Sequence, residues 1–134
     1  MKLKIMKFKI SAEPDIYFVQ SNLSKISESV GYDNVEMNKL KTIISELAYN
    51  ILKYAKTGFL VVEHFEERGE IGVIVKAQDK GPGIPNIEEA LKDNYSSSGT
   101  LGLGLPGIKR MADYIKINST INVGTEVIVK FWKK

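Results

Sequence analysis

A chain of 134 residues matches about one domain, and chains of this size bury roughly two-thirds of their unfolded surface, so one core over residues 1–134 is expected. Hydrophobic residues at 43% and charged residues at 26% exclude the disordered, collagen-like and membrane classes. Nineteen Lys and Arg against sixteen Asp and Glu leave a net charge of +3, gathered mainly at the chain ends; a nucleic-acid-binding stripe needs more. The absence of cysteine removes disulfides, thiolate metal sites and cysteine nucleophiles, and suits a reducing compartment. The first seven residues are basic, but no apolar signal core follows and no apolar stretch approaches the ~20 residues of a spanning helix. A cytoplasmic protein is expected, with no membrane or nucleic acid among its partners.

In chain order, residues 4–10 alternate apolar side chains with lysines and read as an edge strand. From Ser11, with Pro14 in the first turn, Ile16, Val19, Leu23, Ile26 and Val30 recur at helical spacing until Gly31. Asn34 reads as the cap of a second helix, whose stripe runs through Leu40, Ile43, Ile44, Leu47 and Ile51 toward Lys56. Residues 59–65 and 71–77 read as a hairpin around a charged turn in which Gly69 takes the difficult dihedral. A Gly- and Pro-rich loop follows Asp79, then a short acidic helix over 87–92 and a polar tract over 94–100. Residues 103–112 read as a helix, and 114–119 with 125–132 as two closing strands. This order fits an α+β two-layer sandwich: a mixed, mostly antiparallel sheet with helices on one face and the other face more exposed.

The glycines of the loop invite a phosphate-loop search, since glycine lets backbone amides approach an anion. No G-x-x-x-x-G-K-[ST] is present. Residues 102–107 match G-x-G-x-x-G, but the dinucleotide reading needs a strand directly before it, and a serine-rich tract stands there. A protein-kinase glycine loop fails as well, because its H-R-D and D-F-G companions are missing.

Three other elements suggest chemistry. Glu46 and Asn50 lie four apart on one helix side, a carboxylate able to take a proton beside an amide oxygen suited to Mg²⁺. Asp79, at a strand end before Gly81 and Gly83, offers an acceptor for an exocyclic amine. Gly99-Thr100-Leu101-Gly102-Leu103-Gly104 opens a helix, presenting free amides at its positive end. Taken singly, each is also what a solvated helix face, an Asp-x-Gly turn or a capped loop looks like.

Together and in this order, with Gly124-Thr125 before the last strand, they resemble the ATP site of the GHKL superfamily, which includes the gyrase, Hsp90, histidine-kinase and MutL ATPases. Within it, Glu46-Leu47-Ala48-Tyr49-Asn50, Asp79-Lys80-Gly81-Pro82-Gly83-Ile84, Tyr95-Ser96-Ser97 and the run from Leu101 to Met111 are most similar to the small switch kinases of the stressosome. The resemblance covers nearly the whole chain. It implies the two-layer Bergerat fold and Mg-ATP-dependent phosphorylation of serine or threonine on STAS-domain antagonists. On release, such a kinase binds and activates a PP2C-type phosphatase. It also implies Glu46 as catalytic base, Asn50 as Mg²⁺ ligand, and Asp79 on the adenine amine. Gly81, Gly83, Ile84 and Thr125 would shape the base pocket; Ser96, Ser97, Thr100 and Leu101 would form the lid; Gly102, Leu103 and Gly104 would approach the phosphates. Asn94, Ser97 and the Met111-Ala112-Asp113 run depart from the usual pattern without touching the adenine pocket. The related anti-sigma factor kinases, which add a sigma-binding surface, are the alternative, followed by a nucleotide-gated binding module with little catalysis. Lys53, Lys80, Lys92, Lys109 and Arg110 are the candidate cations for the γ-phosphate.

His64, the one histidine, reads as a surface residue of its strand. Tyr49, Tyr54, Phe131 and Trp132 read as core or rim packing, and the lysine-rich ends as solvated.

Overall fold

The computed structural model describes residues 5–91 and 104–134. The elements are β1 (Ile5–Ile10), α1 (Glu13–Val30), α2 (Asn34–Tyr54), β2 (Gly58–Glu67), β3 (Glu70–Asp79), the one-turn α3 (Ile87–Ala90), α4 (Gly104–Met111), β4 (Tyr114–Thr120) and β5 (Gly124–Trp132). Five strands form one sheet in the order β1-β2-β3-β5-β4, and every neighbouring pair is antiparallel, which corrects the expectation of a mixed sheet. The reason is connectivity. α1 and α2 carry the chain away and back, so β2 starts where β1 stopped, with Ile10 opposite Gly58, while the other pairs derive from hairpins or run back along them.

The caps differ in detail from expectation. Asp33, not Asn34, caps α2: its Oδ1 accepts the Glu36 amide at 2.7 Å, and Glu36 Oε1 accepts the Asp33 amide at 3.0 Å. A carboxylate with Glu at the third helical position satisfies two orphan amides reciprocally. At α1 the Asp15 carboxylate accepts the amides of Ser11 and Ala12. The β2–β3 turn places both Arg68, at φ 53°, and Gly69, at φ 79°, in the left-handed region, so glycine carries only half of the turn.

Even-numbered residues of β2 and odd-numbered residues of β3 and β5 point to the helices. Leu60, Val62, Val73, Val75, Ala77, Val127, Val129 and Phe131 are buried there against the helical stripes and Leu105 and Ile108 of α4. The opposite face is more open, as expected: Phe59 is 38% exposed, although Phe65 and Trp132 close their rings to 4.4 Å over it at one end.

His64 overturns the surface reading. It is only 1% exposed, and neither ring nitrogen has a hydrogen-bond partner among the described residues. The run Phe59-Leu60-Val61-Val62-Glu63-His64-Phe65 is apolar on both parities, so alternation alone does not say which face is inward. The sheet selects the parity of Leu60 and Val62, and His64 goes with them.

The C-terminal lysines are also not simply solvated. Glu36 accepts the Lys134 amide at 2.8 Å and the Lys133 ammonium at 2.9 Å, and Asp113 accepts the Trp132 amide and the Lys134 ammonium. Burial pushes the Glu36 carboxyl up, but hydrogen bonds from the Asp33 and Lys134 amides and the Lys133 ammonium outweigh it and hold it at about 2. The last strand is thereby clamped to the start of α2.

Two predictions follow from these contacts. Glu36→Gln should lower stability at pH 7 by about 1–3 kcal/mol in urea unfolding, because buried donors lose their charged acceptor. Since the folded carboxyl titrates below its ordinary 4.5, this contribution is complete above pH 4.5 and lost as pH falls toward about 2, so the two proteins should converge in acid. Equal stability at pH 7 would refute the clamp. His64→Leu should be neutral or stabilising by about 1 kcal/mol, since it removes unpaired buried polar atoms, and a clear loss of stability would show that the imidazole is satisfied.

Candidate functional site

On α2, Glu46, Asn50 and Tyr54 recur every four residues and form one stripe, beside Leu47 and Ile51. Glu46 is 1% exposed, and its Oε2 accepts the Gly104 amide at 3.2 Å. Gly104 begins α4, where the first amides lack helical partners and a carboxylate is favoured by the helix dipole. Oε1 has no partner among the described residues. Asn50 is half-buried, and its amide likewise has none.

Asp79 ends β3. One of its oxygens accepts the Gly81 amide at 2.8 Å, which leaves the other unpartnered among the described residues. Across the sheet Asp79 stands opposite Gly58 on β2 and Thr125 on β5, and Thr125 stands opposite Ser119 on β4. Ser119 Oγ lies 2.8 Å from Thr125 Oγ1 and accepts the Ile84 amide at 2.7 Å.

The loop after Asp79 rests on the β4–β5 turn, where the Asn122 amide donates to Pro82 O at 2.8 Å. Glycine is required on both sides of this contact. Gly83 has φ 85°, and a Cβ there would come within 2.7 Å of Thr120 O; Gly124 has φ 151°, and a Cβ would meet Asp79 O at 2.1 Å.

Between α2 and this end of the sheet lies a cavity of about 200 Å³. Asn50, Asp79 and Thr125 are its polar walls, Ala77 and Val127 its floor, Leu47 and Ile51 its helix side. Tyr54, Gly83, Ile84, Pro85 and Leu105 complete the rim. An apolar slot ending in a free carboxylate oxygen and a hydroxyl suits a flat heteroaromatic ring carrying an exocyclic amine. The Asn50 amide oxygen is a hard ligand of the kind Mg²⁺ accepts alongside phosphate oxygens.

Of the residues singled out in the sequence, Asn50, Asp79, Gly83, Ile84 and Thr125 line this cavity, with Gly81, Glu46 and Gly104 in contact with or next to its walls. Ser96, Ser97, Thr100, Leu101, Gly102 and Leu103 lie outside the described residues. Among the candidate cations, Lys53 sits 5.2 Å over the Tyr54 ring, Lys80, Lys109 and Arg110 are exposed and line no part of the cavity, and Lys92 lies outside the described residues. Tyr54, read as core or rim packing, lies among the residues that line the cavity. Its position eight after Glu46 was a usable signal. Tyr49 turns to α1, donating to the Glu13 carboxylate at 2.9 Å, which with burial raises its hydroxyl to about 12. Ser119 carried no signal, since the register of β4 on β5 is not written in either strand.

Comparison with known proteins agrees with this geometry. Residues 36–134 match the family described as histidine kinase-, DNA gyrase B-, and HSP90-like ATPase. The serine/threonine-protein kinase RsbT of Bacillus subtilis is 39% identical over 92% of this chain and 93% of its own length. The anti-sigma F factors of Clostridium beijerinckii and a Geobacillus species are 31% and 28% identical over 71% of this chain, covering 70% and 68% of their own lengths. With the strands, the helix stripe and the loop glycines arranged in this way, the chain belongs to the histidine kinase-, DNA gyrase B- and HSP90-like ATPase family, the GHKL ATPases.

Proposed function

We propose that this chain is a Mg-ATP-dependent serine/threonine protein kinase of a partner-switching system, acting in the cytoplasm on STAS-domain antagonists and binding a PP2C-type phosphatase when released from them. The observation that carries the reading is the convergence of Asp79 and Thr125 at one end of an apolar slot with Asn50 on its helix side. The 39% identity to the RsbT kinase over nearly all of both chains supports the choice of reaction.

In this reading the free oxygen of Asp79 accepts the adenine amine, while Ala77, Val127 and Ile84 hold the ring faces. Asn50 is the protein ligand of Mg²⁺, and the ion when bound neutralises charge on the phosphates. The amide of Gly104, at the positive end of α4, lies where an anionic group is stabilised. Glu46 holds that amide through Oε2 and keeps Oε1 to receive the proton of the attacking serine or threonine hydroxyl. Gly102 would approach the phosphates with Gly104, and Ser96, Ser97, Thr100, Leu101 and Leu103 would close over them. The identity to anti-sigma F factors favours, as a second reading, a kinase that also binds a sigma factor.

Two substitutions separate binding from transfer. Asp79→Asn should weaken ATP by roughly 10–100-fold in isothermal titration, since an amide nitrogen or oxygen replaces a charged acceptor; unchanged affinity would sink the pocket. Glu46→Gln keeps an oxygen for the Gly104 amide but not the base. It should leave ATP affinity within about threefold and slow phosphoryl transfer by roughly 10²–10⁴, read as the gain of one phosphoryl group on a STAS-domain protein by intact mass. Undiminished transfer would remove Glu46 as base. No transfer by the unmodified protein to any STAS partner, with ATP bound, would favour the sigma-binding reading or the non-catalytic module.

A further inference from the structure

The sheet face turned away from the helices carries side chains that neither the core nor the cavity uses. Odd-numbered residues of β1 and β2 and even-numbered residues of β3, β4 and β5 point that way. Lys7, Val61, Lys76, Ile128 and Lys116 therefore stand in one row across all five strands, a lysine on every second strand with an aliphatic side chain between. Ile5, Glu63, Ile74, Lys130 and Tyr114 form the next row. Val61, Ile74 and Ile128 are half-buried, whereas Ile5 and Tyr114 are exposed. Three carboxylates of this face are already engaged: Glu63 pairs with Lys76 at 3.4 Å, Glu67 pairs with Lys130 at 3.9 Å, and Glu126 accepts from Gln78 at 2.9 Å. Lys7 and Lys116 have no carboxylate in ion-pair range among the described residues; Lys7 rests 4.5 Å over the Phe59 ring.

We propose that this face docks an acidic amphipathic helix of a protein partner, with apolar side chains against Val61, Ile74 and Ile128 and carboxylates toward Lys7, Lys76 and Lys116. Two strand spacings put successive lysines of the row about 9.6 Å apart, and one heptad of helix advances about 10.5 Å, so carboxylates one heptad apart match that spacing. Unpaired lysines beside an apolar strip are the complement of such a helix. A second copy of this chain fits badly, because self-complementary packing of this face sets the lysine row against itself. Twist of about 20–25° per strand turns the ends of the row through roughly 80–100°. A flat anionic bilayer then meets only part of the row, whereas a rod lying along it is reached by the lysines from successive sides. The cavity lies on the helix side of the sheet, so a partner held here leaves it open, and either site can fail without the other.

The test is an NMR titration of the isotope-labelled protein with a synthetic helical peptide of about three heptads, leucine on one face and glutamate flanking it, and with the same peptide carrying lysine for every glutamate. The acidic peptide should shift the amides of Val61, Lys76 and Ile128, and the lysine peptide should not. The double substitution Lys7→Glu and Lys116→Glu, shown to fold by thermal unfolding, should weaken the acidic peptide roughly tenfold and gain binding of the lysine peptide, a swap that lost packing alone does not produce. If the double variant does not fold, Lys116→Glu alone should show the same swap at about threefold. No binding of the acidic peptide, shifts confined to other parts of the molecule, or binding that charge reversal leaves unchanged overturns the proposal. Two further results overturn it as well. Shifts of this face on changing the protein concentration alone would identify a second copy as the occupant, and shifts with phosphatidylglycerol vesicles but not with the peptide would identify a membrane surface.

Discussion

The site depends on one row of the sheet. Gly58, Asp79, Thr125 and Ser119 are mutual partners across β2, β3, β5 and β4, and all four lie on the helix-facing parity. In an antiparallel sheet a slip of one residue turns every side chain to the other face. The register of three strand pairs therefore decides at once whether a carboxylate and two hydroxyls meet beside α2 or face water. The next row inward is Leu60, Ala77, Val127 and Ile117, apolar throughout. The polar row marks where the core ends and the cavity begins, and the small side chain of Ala77 leaves room beneath it.

The two ends of the molecule divide their duties. At the end away from the cavity, His64, Val73 and Phe131 close the inner face, Tyr32 donates to Phe131 O, and Glu36 and Asp113 tie down the last residues of the chain. Charge-assisted hydrogen bonds to partly buried carboxylates are worth more than exposed ion pairs. At the cavity end the backbone runs through left-handed glycines and is held by single hydrogen bonds from the Ile84, Gly81 and Asn122 amides. Rigid packing at one end and short, individually tied loops at the other is the arrangement expected where a ligand must enter.

α2 joins these ends. Its first turn holds the C-terminal tail through Glu36, its middle packs Leu40, Ile43 and Ile44 into the core, and its last turns present Glu46, Asn50 and Tyr54. The single contact between Glu46 and the Gly104 amide spans 58 residues of sequence and links the stripe to α4. A buried carboxylate and the positive end of a helix are thus neighbours beside the cavity, the kind of fixed electrostatic arrangement that a site working on charged groups is built from.

Much of this was legible in the chain. Helical spacing from Ile16 to Val30 and from Leu40 to Ile51, the glycine-marked hairpin and the four-residue step from Glu46 to Asn50 are local patterns, set by the periods of helix and strand. The order of Glu46, Asp79, Gly104 and Thr125 along the chain was enough to point to the family. What the sequence left open depends on partners distant in sequence. It did not say which parity of β2 turns inward, and so misplaced His64; it did not show that Lys133 and Lys134 end beside Glu36, or that Ser119 lies against Thr125. Alternation states that two faces exist without naming the inner one, and only pairing with β1 and β3 breaks that symmetry. The sequence by itself determined the elements and the residue types of the site; the tertiary structure decided which side chains share a row, because register is a property of strand pairs and not of any one strand.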